Sequence, residues 1–104
     1  MELKIVYSRI ALTDLRDIYD YIRRDSVRYA TKEVKYIRLS INRLKSNPFL
    51  YKRFENTEDE FTRELVYKNY RIIYQIIPDE QINIIAIHHH ARAVANNPAF
   101  NTED

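Results

Sequence analysis

The chain has 104 residues, of which 45% are apolar and 31% charged, with a formal charge of +2 and a pI near 8.9. These values describe one globular domain with a modest core, and they permit an anionic partner without requiring one. Cysteine and glycine are both absent, which excludes disulfides, thiol nucleophiles, cysteine metal sites and glycine-rich phosphate loops.

Glu2, Lys4 and Arg9 interrupt the N-terminal stretch, so it does not read as a signal peptide. No apolar run approaches the ~20 residues that a membrane helix needs, and the expected location is the cytoplasm. Leu3, Ile5 and Tyr7 alternate with Lys4 and Val6, a short strand. Ser8 is suited to cap a helix in which Ala11, Leu15, Ile18 and Ile22 form one apolar stripe widened by Tyr19. On its wet side Asp20 is spaced to pair with Arg16 and Arg24. Asp25 and Ser26 break the period and can cap a second helix, with a stripe of Ala30, Val34, Ile37, Ile41 and Leu44. That helix is expected to run to Asn47, because Pro48 disfavours helical geometry at the residue before it. The two helices read as an antiparallel hairpin that needs a sheet to bury its stripes.

Residues 49–60, FLYKRFENTEDE, read as a solvated loop flanking the sheet. From Phe61 to Arg92 the sequence reads as three strands. Lys68-Asn69 makes the first turn, with Asn69 expected at positive φ in the absence of glycine, and Pro78-Asp79 makes the second. Tight turns imply antiparallel neighbours. Tyr70, Ile72, Tyr74 and Ile76 share one apolar face, which leaves Arg71 on the other, open face. The expected architecture is therefore α+β: an N-terminal strand, an antiparallel helical hairpin and a three-stranded antiparallel meander within residues 1–92, followed by an irregular tail over 93–104.

The last strand runs into His88, His89, His90 and Arg92. Titratable and cationic groups gathered on an open sheet face are the main functional signal, and Arg63, Tyr70, Arg71 and Arg92 form the candidate functional surface. Which of the three histidines faces that surface is left open by the sequence. His88 and His90 would lie on one side of a strand about 6–7 Å apart, but local spacing places no third ligand. No metal and no cofactor are expected. Arg71 is open to two readings, a structural partner for a carboxylate such as Glu64 or a functional cation.

The order of elements resembles the RelE/ParE superfamily of toxins from type II toxin–antitoxin modules, the plasmid-stabilisation type. The resemblance rests on the Ala11-to-Ile22 helix with Asp14, Leu15 and Tyr21, on Leu44 with Asn47-Pro48, on Arg63-Glu64-Leu65, on Tyr70-Arg71-Ile72-Ile73-Tyr74, and on Ile87 through Arg92. It implies a cognate antitoxin as partner, with a homodimer or a toxin–antitoxin hetero-oligomer as the assembly, and one of two actions. RelE-like members cut messenger RNA on the ribosome; ParE-like members poison DNA gyrase. For cleavage, the resemblance assigns phosphate stabilisation to Arg71 and Arg92 and proton transfer to His90, with His89 the alternative one residue away. The lysine pair of RelE is replaced here by Thr62 and Glu64. The long hairpin, the Arg-Glu-Leu segment and a histidine shortly before an arginine are closer to ParE, a context in which Arg63 and Glu64 are open to a structural role.

Overall fold

The computed structural model describes residues 3–55 and 57–89. Strand β1 (Lys4–Tyr7) leads into helices α1 (Arg9–Arg23) and α2 (Val27–Asn42), a short 3-10 turn (Arg43–Lys45), and strands β2 (Thr62–Tyr67), β3 (Tyr70–Ile77) and β4 (Gln81–His89). The sheet order is β1-β4-β3-β2, with β1 parallel to β4 and the other pairs antiparallel. His90, Arg92 and the tail over 93–104 lie outside the described residues.

Both helices begin on a serine. The Ser8 Oγ accepts from the Ala11 N–H at 2.9 Å, and the Ser26 Oγ accepts from the Tyr29 N–H at 3.0 Å, each satisfying one of the orphan donors of a first turn. Ala11, Leu15, Ile18 and Ile22 of α1 are buried together with Ala30, Ile37 and Ile41 of α2, while Val34 is half-buried at the margin. Across the core they meet Leu65, Tyr70, Ile72, Tyr74, Ile76, Ile82 and Ile84. Helices on one face of the sheet and Arg71 on the other agree with the parity read from the sequence. Two details differ. The α-helix ends at Asn42 and the chain tightens into a 3-10 turn before Pro48. On α1, Asp20 pairs with Arg23 at 3.1 Å, and the Arg24 guanidinium lies over the Tyr21 ring.

The turns also depart in part from expectation. Pro78-Asp79 behaves as read: Asp79 takes φ 64 and the Glu80 N–H donates to the Ile77 carbonyl at 3.0 Å. In the first turn Lys68, not Asn69, takes the left-handed conformation, with φ 54. Its ammonium lies 3.3 Å from the buried Glu33 carboxylate on α2, a long-range partner that local turn chemistry cannot reveal.

Strand β4 carries the feature that positions the candidate site. Its register against β3 shifts between Ile73 and Tyr74, which leaves Ile85 as the extra residue of a bulge. Before the bulge Ile82 and Ile84 face the helices; after it Ile87 does. Backbone groups at a bulge lose ladder partners, and α1 supplies replacements. The Ser8 N–H donates to the Ile84 carbonyl at 2.9 Å, the Ser8 hydroxyl to the Ile85 carbonyl at 2.8 Å, and the Ile87 N–H to the Asp14 carboxylate at 2.8 Å.

The loop after Pro48 is tied down as well. The Tyr74 hydroxyl donates to the Pro48 carbonyl at 2.7 Å, and Arg53 bridges Arg63 so that residues 52–54 run along the β2 edge. At the loop's end the Phe61 N–H and the Thr62 hydroxyl donate to Asp59, and together they hold its carboxyl below its ordinary range.

Asp14→Ala should remove roughly 1.5–3 kcal/mol of stability, the range for a hydrogen bond to a charged group. Amide exchange at Ile87 should accelerate more than at Ile72 in the same variant. Because the Asp59 carboxyl is depressed in the folded state, its contribution is present above the unfolded carboxyl value near 3.9 and is lost as pH falls through the folded value. Asp59→Asn should therefore flatten the acid side of the stability–pH curve, measured by denaturant midpoints, while leaving its neutral plateau shape intact.

Candidate functional site

Neighbouring strand residues face opposite sides, and the bulge decides which histidine faces which. His88 lies opposite Arg71 across the β3–β4 ladder, exposed on the open face. His89 lies opposite Tyr70 on the helix side, stacked on the Tyr70 ring at 4.7 Å and meeting the Tyr21 ring edge-on at 5.9 Å. The sequence signal for this reversal is present but subtle: isoleucines at 82, 84 and 87 break strict alternation.

On the open face, Glu64 of β2 is the centre. Its side chain is fully buried, yet it sits on the side of the sheet away from the helices. Arg71 Nε approaches one carboxylate oxygen at 2.9 Å and Lys52 Nζ approaches the other at 3.4 Å. Neither contact has hydrogen-bond alignment, so charge rather than a directed bond holds the carboxylate. A buried carboxylate without a cation costs several kcal/mol, which explains why Arg71 remains beside it although the arginine is 39% exposed. Arg71 is thus brought to His88 and Glu64 together, while Lys52, from the loop over residues 49–60, joins them.

Arg63 is elsewhere. It pairs with Tyr74 in the β2–β3 ladder, hence on the helix-facing side. Its Nε donates to the Glu60 carbonyl at 2.7 Å, its Nη1 donates to the Tyr51 carbonyl at 3.0 Å, and the guanidinium lies over the Phe49 ring. This is a clamp on the loop preceding β2. Tyr70 is also turned inward: burial pushes its hydroxyl well above the usual tyrosine value, so it stays neutral and packs between Tyr67 and His89.

Beside Tyr70 and His89 opens a cleft of about 280 Å³ between the hairpin and the β2–β3 turn. Glu33 anchors it, accepting from the Tyr29 hydroxyl at 2.9 Å and from Lys68 at 3.3 Å. The Glu33 carboxylate holds both the Lys68 ammonium and the Tyr29 hydroxyl above their ordinary values. No group of three or more possible metal ligands occurs among the described residues.

Arg71→Ala should cost about 3 kcal/mol, the low end for removing one partner of a buried ion pair, because it leaves the Glu64 carboxylate with only Lys52 beside it. The double change Glu64→Gln with Arg71→Ala should recover part of that loss in a thermal or denaturant melt, since the buried charge is gone too.

The family model described as ParE toxin of type II toxin–antitoxin system, parDE, matches residues 5–94. No curated protein matches the chain. Among solved structures, the chromosomal ParDE toxin–antitoxin system from P. aeruginosa is similar with a TM-score of 0.70 at 23% identity, covering 85% of this chain and 96% of that one. The toxin–antitoxin complex RelBE2 from Mycobacterium tuberculosis gives a TM-score of 0.59 at 16% identity, covering 86% and 99%. The YoeB dimer from Staphylococcus aureus gives 0.57 at 20% identity, covering 86% and 99%. These likenesses establish a shared fold, and the match over residues 5–94 establishes more: the chain belongs to the ParE toxin family of type II toxin–antitoxin systems.

Proposed function

We propose that this toxin arrests growth by inhibiting DNA gyrase through a protein contact surface, and that a cognate antitoxin neutralises it. The observation that carries the reading is the commitment of Arg71 to Glu64, 2.9 Å away and fully buried. A cleavage site needs cations whose charge is available to a crowded phosphate. Here the strand arginine is neutralised by a carboxylate standing at one of the two positions where RelE carries a lysine, and Thr62 stands at the other. The antitoxin would cover exposed apolar side chains of the hairpin, among them Ile10, Leu12, Val27 and Tyr29, ordering as it binds.

One observation favours the rival enzymatic reading, a ribosome-dependent endoribonuclease: His88 stands opposite Arg71 on the open face. In that reading Arg71, Arg92 and either His88 or His90 would serve the phosphate and the protons. His89 is the poorer candidate because its ring is stacked on Tyr70.

Induction of the chain is expected to give filamentous cells and DNA damage, and the purified protein is expected to block gyrase supercoiling, with His88→Ala and His90→Ala leaving that block intact. An immediate stop in protein synthesis, with ribosome-dependent RNA cleavage that loses on the order of 10²–10⁴ in rate in either histidine variant, would replace this reading with the enzymatic one.

A further inference from the structure

We infer that the groove between β1 and α2 binds the phosphodiester backbone of a nucleic acid. The chain's modest net charge conceals a strong asymmetry. Between Val27 and Phe54 there are eight lysines and arginines and a single carboxylate, Glu33. Glu33 is buried and already paired with Lys68. The groove, about 730 Å³ in volume, is lined by Lys4 from β1 and by Lys35, Arg38 and Lys45 from α2 and the turn after it, with Thr31 and Asn42 between them. No carboxylate lines it. Among the described residues none of these four cations stands within salt-bridge distance of an acid.

The four charges therefore face one another across a concave surface, with no acid among the described residues paired to any of them. That arrangement concentrates a positive potential and is the electrostatic footprint of phosphate-backbone recognition. One of the cations is also pre-positioned. The Arg38 guanidinium lies 4.8 Å from the centre of the Tyr7 ring, a cation–π placement that limits its freedom before any phosphate arrives. Burial pushes the Tyr7 hydroxyl up, against the opposing effect of Arg38, so it remains a neutral ring beneath the cation. From Lys35 to Lys45 the cationic wall runs roughly 15 Å at the helical rise, the axial rise of about four base pairs.

An acidic peptide added as a strand along β1 is the competing occupant. Strand β1 is four residues long and carries Lys4, both of which are devices that discourage strand addition at a sheet edge. Lys35 also continues the row of cations along α2 about one turn beyond Arg38, which lies over Tyr7 at the end of the strand. The observations favour a polyanion that tracks the helix over a peptide that pairs with β1. The inference does not rest on the proposed action on gyrase. DNA and RNA share the chemistry, and the test separates them.

The test is fluorescence anisotropy of the intact chain with labelled duplex DNA, a labelled RNA hairpin and a labelled glutamate-rich peptide across a range of salt. A Kd on the order of 10⁻⁴–10⁻⁶ M at physiological salt is expected, with log Kd rising against log salt at a slope of about 3–4 on duplex DNA, as four neutralised phosphates require. Lys35→Glu with Arg38→Glu should reduce that slope to about half and weaken binding at least tenfold. Arg16→Glu with Arg23→Glu on α1 makes the same charge change outside the groove and should leave most of the affinity in place. Circular-dichroism melts of both variants identify any loss of fold. Tighter binding to one nucleic acid assigns the source. The inference is overturned if neither nucleic acid binds, if the two double variants weaken binding equally while folded, or if the peptide binds more tightly than both nucleic acids.

Discussion

The seam between α1 and β4 is the constraint on which the rest depends. β4 lies between β1 and β3, so an irregularity in it propagates to both neighbours. Two residues on or just before α1, Ser8 and Asp14, take up the β4 backbone groups around the bulge. Buried backbone donors and acceptors must be paired somewhere, and here the partner is a helix that also caps itself with the same serine. The packing of α1 against the sheet and the aim of the β4 side chains are therefore one problem with one solution. Loss of the clamp would leave the bulge either unsatisfied or ironed out, and ironing it out moves every later side chain to the opposite face.

Two carboxylates inside the surface do a related job. Glu64 and Glu33 are almost fully buried, and each is met by a cation that is itself half in solvent: Arg71 and Lys52 in the first case, Lys68 in the second. Such pairs contribute little net stability, because desolvating the carboxylate offsets most of the attraction. What they determine is geometry. Glu64 draws the loop after Pro48 onto β2, and Glu33 holds a turn residue in a left-handed conformation that disfavours a lysine by about 1–2 kcal/mol. At Lys68 that conformation is accompanied by an outside partner on α2.

Much of this was legible in the sequence, for a reason that can be named. The stripes of α1 and α2 and the Tyr70–Ile76 alternation are periodic over several turns or residue pairs, and a period survives any tertiary detail. They placed Arg71 on the open face correctly. Several of the departures come from long-range contacts. Lys68 takes the positive φ in place of Asn69, and its ammonium meets Glu33, 35 positions away in sequence but 3.3 Å away in space. That His88 rather than His89 faces the open side follows from a bulge that Asp14 stabilises across 73 positions. Arg63, read as a surface cation, is absorbed by carbonyls of the preceding loop. Local patterns carry no information about such partners.

The two groups of cations on this molecule illustrate how burial decides what a charge can do. Arg71 and Lys52 stand over a carboxylate that cannot leave, so an approaching anion would have to compete with an ion pair already made. The arginine still has other N–H donors to offer, which suits it to hydrogen-bonding at a protein interface better than to neutralising a phosphate. Lys4, Lys35, Arg38 and Lys45 are not so compensated, and their mutual repulsion is relieved only by salt or by an anionic ligand. A ligand that releases counterions from its own backbone gains most from such a surface. Positive residues thus acquire different roles, and the difference lies in one buried glutamate, Glu64, rather than in the cations themselves.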